Sequence, residues 1–445
     1  MCFKRLFYTP LLEIVTLSLS LCLSLCLSLS LSLKLSLKLS LKLSLSQTLS
    51  QTLSQTLSLA MTLAETMNGE VISADKCHIF RELQVGLDKV PPAARTAPCH
   101  FVDTHYLNEH FNAGDFAEAA TDLCQHIHEQ GKTPIILGDS VFYLKTLFTG
   151  VNRTPRRDPA QEAELRAELA DQPWSAAVER LAEVDPQTAA VILPNDWARL
   201  LRCIVIHRMT GKTVADFVPE PPNIEFRKVY LNPPRDMLHD NLVARCERIV
   251  DRGLVEETIA LMPDYLEQDS RLSRLLGYQE ALAYLAEFWF SQDPKSTAHK
   301  RKAFRRLLFA LYRSHRRAAA QQLRYFRSTP DFYPLEYDAH GDPVEILELI
   351  QEFYQTGALP KHVAGDQNPL PTQPPRDVHW SLYQEDQNVD DKIADVQAAL
   401  LMHGQKHNWP VELFQDDEPE VQATTHVSRR ANRFAARQAE YKRRR

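Results

Sequence analysis

An α/β fold built on parallel strands, with helices grafted onto it, is predicted by two repeated units and by the helical second half of the chain. The first unit begins at Ser58. An amphipathic stretch turns at Gly69 into the short apolar run Glu70-Val71-Ile72, which closes on Ser73-Ala74-Asp75. The second runs from a helix at about Asp115 to Gln130 into Pro134 to Leu137 and closes on Gly138-Asp139-Ser140. Helix followed by short apolar strand, then by a small-residue turn, is the pattern of a parallel sheet covered by helices. In such sheets ligands gather beyond the carboxyl ends of the strands. Asp75 is therefore the first candidate position.

The elements follow in chain order. Leu17 to Leu59 is almost wholly alternating Leu and Ser, with Lys and then Gln-Thr entering at regular intervals. A tandem CT dinucleotide encodes Leu-Ser-Leu-Ser in every frame, so a translated microsatellite or a gene-model artefact is the expected origin of residues 1–57. A targeting leader is the alternative: Val15 to Leu33 is uncharged and follows Lys4 and Arg5, and the segment is rich in Ser and poor in acids. Residues 58–150 and 221–330 are expected to form the α/β core. Between them, 151–220 reads as a helical insertion, with Asp185-Pro186 and Pro194-Asn195-Asp196 as helix-start signals. Glu225 to Leu231 reads as a returning strand. Long helices are expected at Asp240 to Arg252, Val255 to Leu266, Tyr278 to Ser291 and about Ala298 to Arg327. Residues 331–445 turn acidic and Pro-rich and read as a linker with a basic tail that is disordered or helical.

Net charge is −6, from 51 Lys and Arg against 57 Asp and Glu, so overall composition does not announce a polyanion binder. Its distribution does: Lys295 to Arg327 holds eleven cations and no acid. The eight cysteines include no C-x-x-C pair. Packed, reduced thiols and an intracellular compartment, cytoplasmic or mitochondrial, are expected. His105, His110 and His126-x-His128 lack the spacing of a metal site.

Five segments, in order, resemble the tRNA dimethylallyltransferases (isopentenyl-tRNA transferases). NGEVISAD is similar to that family's acid-bearing strand, and GKTPIILGDSVFYLKTLFTG to its G-K-x-P-I-x-x-G-G-T-G-L-Y. VDPQTAAVILPNDWARLLR is similar to D-P-x-x-A-x-x-I-x-x-N-D-x-x-R-x-x-R. GLVEE followed by LGYQEAL, and HRRAAAQQLRYFR, match its later helices. The resemblance spans about Ser58 to Arg327.

It implies a P-loop nucleotide-kinase-like core and transfer of a dimethylallyl group from its diphosphate to N6 of adenosine 37 in tRNA. By the same resemblance Asp75 is the general base, and Ser140, Arg316 and Lys89 meet the diphosphate. Arg199, Arg202, Gln322, Tyr325, Phe326 and Arg327 meet RNA. Mg²⁺ is the implied cofactor, without an identified protein ligand; tRNA and dimethylallyl diphosphate are the partners, and the chain is expected to be a monomer.

The departures from the pattern are specific. Asp139 replaces a glycine and brings an anion beside the expected diphosphate. His315 stands for Thr, Ala320 and Gln321 stand for Lys and Arg, and Cys203-Ile204-Val205 follows Arg202. The family's G-x-T-x-S-G-K-[ST] loop has no counterpart before Ser58. Gly131-Lys132-Thr133 and Gly211-Lys212-Thr213 imitate its end, but His126 and Ile206 stand where its first glycine is required. A chain without that loop is expected to be poorly stable and inactive, so a non-catalytic RNA-binding remnant is the alternative. A P-loop kinase of small substrates fits the core but not the basic helix.

Overall fold

The computed structural model describes residues 54–265, 271–288, 296–336, 343–357, 378–407 and 409. The Leu-Ser repeat up to residue 53, most of the expected linker and the basic tail lie outside the described residues. The chain divides into two compact units, one of residues 1–111, 123–141 and 225–445, the other of residues 112–122 and 142–224.

The first unit opens with helix α1 (Ser54–Thr66), β1 (Gly69–Ser73) and β2 (Cys99–His100). Helix α2 (Ala113–Glu129), whose residues up to 122 belong to the second unit, feeds β3 (Thr133–Leu137). Both neighbours of β1 run parallel to it, giving the order β2-β1-β3. Every residue of β1 is buried, which is why the strand reads as a short apolar run rather than an alternating one. Lys132, in one of the loop imitators, pairs with Glu70 of β1, so this Gly-Lys-Thr is the entry to a strand.

The second unit takes in the start of α2 and continues through α3 (Val141–Thr149), α4 (Pro159–Glu168), α5 (Trp174–Val184), α6 (Pro186–Val191) and α7 (Trp197–Thr210). Asp158, Asp185 and Asp196 accept backbone N–H groups at the starts of α4, α6 and α7, each covering a donor that the helix itself cannot satisfy. The polar stretch from Asp158 to Leu181 forms two helices, separated at Pro173. Leu165, Leu181, Leu200 and Ile204 form the core of this unit, with Trp174 edge-on to Trp197 at 5.0 Å. Gly150 has φ +88°, and a Cβ there would lie 2.0 Å from the carbonyl oxygen of Glu220. Only glycine permits that approach, and it brings together the two ends expected for the insertion. Gly211, in the second imitator, is the left-handed residue that ends α7.

The first unit resumes with β4 (Lys228–Asn232), α8 (Arg235–Asp251), α9 (Leu254–Tyr265), α10 (Tyr278–Phe288), α11 (Thr297–Ser328) and β5 (Phe332–Glu336). Strands β4 and β5 pair in parallel as a second small sheet. Helices α12 (Pro343–Thr356) and α13 (Asp386–His407) occupy part of the stretch that reads as linker. This corrects the sequence reading. On α13, Val389, Ile393, Val396 and Leu400 recur at helical spacing and enter the same core as Ile249, Val250, Leu254, Leu307 and Leu311. Lys392 of α13 meets Glu256 at 2.6 Å, and Glu247 of α8 accepts from Ser381 and from the backbone of Leu382, each at 2.8 Å. No helix among the described residues is long and apolar enough to cross a membrane.

Candidate active site at the strand ends

Strands β1 and β3 pair in register up to Ser73 and Leu137. Beyond that pair the contact continues: the Ala74 N–H donates to Leu137 O at 2.7 Å, and the Ser140 N–H to Ala74 O at 3.3 Å. A Cβ on Gly138 would lie 2.4 Å from the Ala74 backbone, so glycine is what lets the two chain turns touch. Asp75 and Asp139 each stand two residues past the last paired position. The sequence thus places two Asp residues at matching positions on adjacent strand ends, and Asp139 feels the charge of Asp75.

Each is held. One oxygen of Asp75 accepts the Cys77 N–H at 2.7 Å, a local turn of the kind Asp favours, and the other lies 3.4 Å from His78 Nε2. His78 Nδ1 lies 3.4 Å from the hydroxyl of Ser73. Burial pushes the His78 imidazole below its ordinary value, with Asp75 opposing, so this ring is a neutral hydrogen-bonding partner at physiological pH. Ser140 accepts the Lys76 N–H through its hydroxyl at 2.9 Å. Gln322, on α11, donates to Asp139 Oδ2 at 3.0 Å. Burial and then the charge of Asp75 push Asp139 up to about 6. The structure therefore brings Asp75, Ser140 and Gln322 together and adds His78 and Asp139.

Lys89 is a different matter. Its ammonium is buried, donates to the Phe80 carbonyl and lies 2.8 Å from Asp103. Burial lowers its pKa against the pull of Asp103, and it also feels the charge of Asp75. It braces the loop that follows Asp75 rather than offering an open cation to a diphosphate.

Arg316 lies half-buried on α11, one residue after the buried His315. Burial pushes His315 down to about 4, and its Nδ1 lies 2.8 Å from Leu311 O. Phe326 stacks on Tyr230 at 5.8 Å and packs on Phe332 at 5.0 Å, with Tyr325 at 6.2 Å from the same ring. Arg327 donates to Asn232 at 2.8 Å. These three residues anchor the end of α11 to β4 and β5.

Within the second unit, Arg202 donates to Thr154 Oγ1 at 3.2 Å and to the Pro155 carbonyl, while Arg199 is exposed near the start of α7. Sequence reasoning missed Arg313, Arg317 and Arg324. They are exposed and separated by four and seven residues on α11, so they form one stripe. The buried positions Phe304, Leu308, Leu311 and His315 were the available signal, because they define the opposite face.

Among the described residues no three His, Cys, Asp or Glu side chains are grouped to hold a metal ion.

An IPP transferase family model matches residues 78–329, more than half of the chain. The chain belongs to the IPP transferase family. The tRNA dimethylallyltransferase of Protochlamydia amoebophila is 31% identical over 296 residues, which cover 65% of this chain and 83% of that protein. The tRNA dimethylallyltransferase 1 of Citrifermentans bemidjiense is 34% identical over 295 residues, covering 65% of this chain and 90% of that protein. A crystal structure of a eukaryotic dimethylallyltransferase acting on tRNA aligns over 68% of this chain and 77% of its own, with a TM-score of 0.55 and 20% identity. That last likeness concerns the fold alone. His78, Asp139, Ser140 and Gln322 lie within the matched span and Asp75 stands three residues before it, so the cluster at the ends of β1 and β3 is the place to look for the family's chemistry.

Proposed function

We propose that the protein prenylates tRNA, transferring a dimethylallyl group from dimethylallyl diphosphate to N6 of adenosine 37. The observation that carries this reading is Asp75 at the carboxyl end of β1, oriented by the Cys77 N–H and His78 and accompanied by Ser140 and Gln322. An exocyclic aryl-type amine is a weak nucleophile, so a carboxylate must accept its proton as the new C–N bond forms and the allylic C–O bond breaks. Positioned general-base help of this kind contributes about 10²- to 10⁴-fold. A stacked anticodon-loop base must also be turned outward to meet such a group. Ser140 is the proposed hydroxyl partner of the departing diphosphate, with Arg316 as its cation. Mg²⁺ finds no three-ligand group of the chain's own among the described residues, and would enter with the diphosphate oxygens, whose charge it neutralises.

Arg313, Arg317 and Arg324 are the cations we assign to tRNA phosphates. Gln322, Tyr325, Phe326 and Arg327 hold α11 in place for them. On the second unit, Arg199 is the exposed candidate for RNA contact and Arg202 supports it from within. An intracellular setting, cytosolic or mitochondrial, suits the free cysteines Cys77, Cys99, Cys124, Cys203 and Cys246, and a monomer suffices for this chemistry.

The test is transfer of labelled dimethylallyl groups to an anticodon stem-loop carrying adenosine 37, using the full chain and its Asp75→Asn variant. Turnover by the full chain, against the inactivity expected from its missing G-x-T-x-S-G-K-[ST] loop, would uphold this reading, and the variant is then expected to lose about 10²- to 10⁴-fold in kcat with unchanged RNA affinity. A wild type that binds the stem-loop yet transfers nothing would replace this reading by that of an RNA-binding remnant.

A further inference from the structure

The two Asp residues at matching positions past the paired ends of β1 and β3, where the backbones remain in hydrogen-bonded contact, have a chemistry of their own. Two carboxylates in contact with one low-dielectric region do not ionise independently, and one of them retains its proton to higher pH. Asp75 has the fixed role of the pair: its two oxygens face the Cys77 N–H and His78. Asp139 accepts from the neutral amide of Gln322.

We propose that Asp139 is a positioning residue that carries the proton of an Asp75–Asp139 carboxyl pair, leaving Asp75 as the ionised acceptor and limiting the negative charge that meets an incoming allylic diphosphate. The charged and titratable groups facing Asp139 are Asp75, Lys76 and Cys77 from the turn after β1, Arg245 from α8, and, as a neutral donor, Gln322 from α11. Burial and Asp75 act in one direction on it, while Gln322, Arg245 and Lys76 act in the other. With a net position of about 6, the pair holds its proton below about pH 6 and has largely released it above pH 7, so its charge changes most between those values. In the protonated form the pair presents one negative charge. In the ionised form it presents two, and the affinity for an anionic donor falls.

This inference rests on the transfer reading of the same site, and two measurements separate their failures. The first is a carboxyl-carbon NMR titration of the full chain labelled at aspartate. One signal is expected to titrate near pH 6, to vanish in Asp139→Asn, and to move toward the ordinary carboxylate range in Asp75→Asn. A signal that Asp75→Asn leaves unmoved, or an Asp139 signal titrating in the ordinary range, overturns the pair whether or not the protein transfers anything.

The second is the ratio of KM for dimethylallyl diphosphate between wild type and Asp139→Asn across pH 5 to 8. The asparagine keeps the shape and a carbonyl acceptor for Gln322, and the shared substrate cancels the diphosphate's own ionisation. The ratio is expected to rise about tenfold as pH passes through 6, the scale of one added charge a few ångströms from an anion. A flat ratio overturns the proposal. Asp139→Gly, which also removes the Gln322 contact, must give the same pH behaviour as Asp139→Asn; a different one would assign the effect to packing.

Discussion

Two pairs of acids in the first unit meet opposite surroundings. Asp88 and Asp103, in and after the loop that follows Asp75, are surrounded by cations. Asp88 lies 2.7 Å from Arg248, 2.8 Å from Arg252 and 3.5 Å from Arg245. Asp103 meets Lys89 at 2.8 Å and Arg95 at 2.6 Å, and accepts from Gln84 at 2.8 Å. Asp139 instead faces Asp75 across two touching strand ends. Burial raises the pKa of all three of Asp88, Asp103 and Asp139. For Asp88 and Asp103 the surrounding hydrogen bonds and charges reverse it, leaving Asp88 below its ordinary value and Asp103 at about 2. For Asp139 nothing reverses it. A matched acid is a fastener with no proton to exchange near neutrality, whereas an unmatched one is available for proton chemistry.

The largest test of that contrast is Asp88→Asn. Asparagine tolerates the left-handed backbone at this position, where φ is 54°, so the substitution removes charge with little strain. It leaves three arginines around a neutral amide, and the cost of unmatching buried charge is about 3–5 kcal/mol. Urea unfolding of the variant should show that loss in midpoint. A change below about 1 kcal/mol would mean that solvent already screens the cluster.

The two sets also predict opposite responses to pH. The folded-state pKa of Asp103 lies below its unfolded value near 3.8, so its contribution is complete above about pH 4 and is lost as pH falls through 2. The difference corresponds to about 2 kcal/mol. Asp139 has the reverse sign. Its folded-state pKa is raised, so its stabilising contribution is complete below about pH 4 and lost as pH rises through 6. Unfolding curves of Asp103→Asn and Asp139→Asn against the wild type should therefore diverge in opposite directions. For Asp103→Asn the deficit shrinks toward pH 2. For Asp139→Asn a gain in stability appears above pH 6.

Much of this architecture was legible in the amino acids because the signals are local. Gly69, the apolar run after it and Asp75 define a strand and its end, and Gly138 does the same for β3. The length of α11 follows from a stretch without a breaker, begun by the Ser296 cap. What was not legible depends on long-range partners. Lys89 matched a motif, yet its neighbour Asp103 lies fourteen residues away across a turn, and no local pattern joins them. Asp139 was visible as an odd residue in a glycine position, but its pairing with Gln322 spans 183 residues. Helix α13 is a different failure. Its stripe of Val389, Ile393, Val396 and Leu400 was readable, and the Pro-rich composition before it obscured a regular apolar period.

The smallest effects concern α11, where the same contrast of matched and open charge recurs along one helix. Near its start, Arg301 meets Asp390 at 2.8 Å, Arg305 meets Asp386 at 2.6 Å and Arg306 meets Glu287 at 3.2 Å. Further along, Arg313, Arg317 and Arg324 are exposed on one stripe. A run of cations that looks uniform in sequence is thus divided by what packs against it. If the second set tracks tRNA phosphates, each Arg→Ala substitution there should reduce the slope of log affinity against log salt by about 1. Arg301→Ala and Arg305→Ala should leave the slope unchanged and alter stability little, because those pairs are open to solvent screening. Equal slopes for all five variants would mean that the helix acts through its total charge. In that case the acids of α13 would weaken RNA binding rather than fasten the fold, and neutralising Asp386 and Asp390 would raise the affinity.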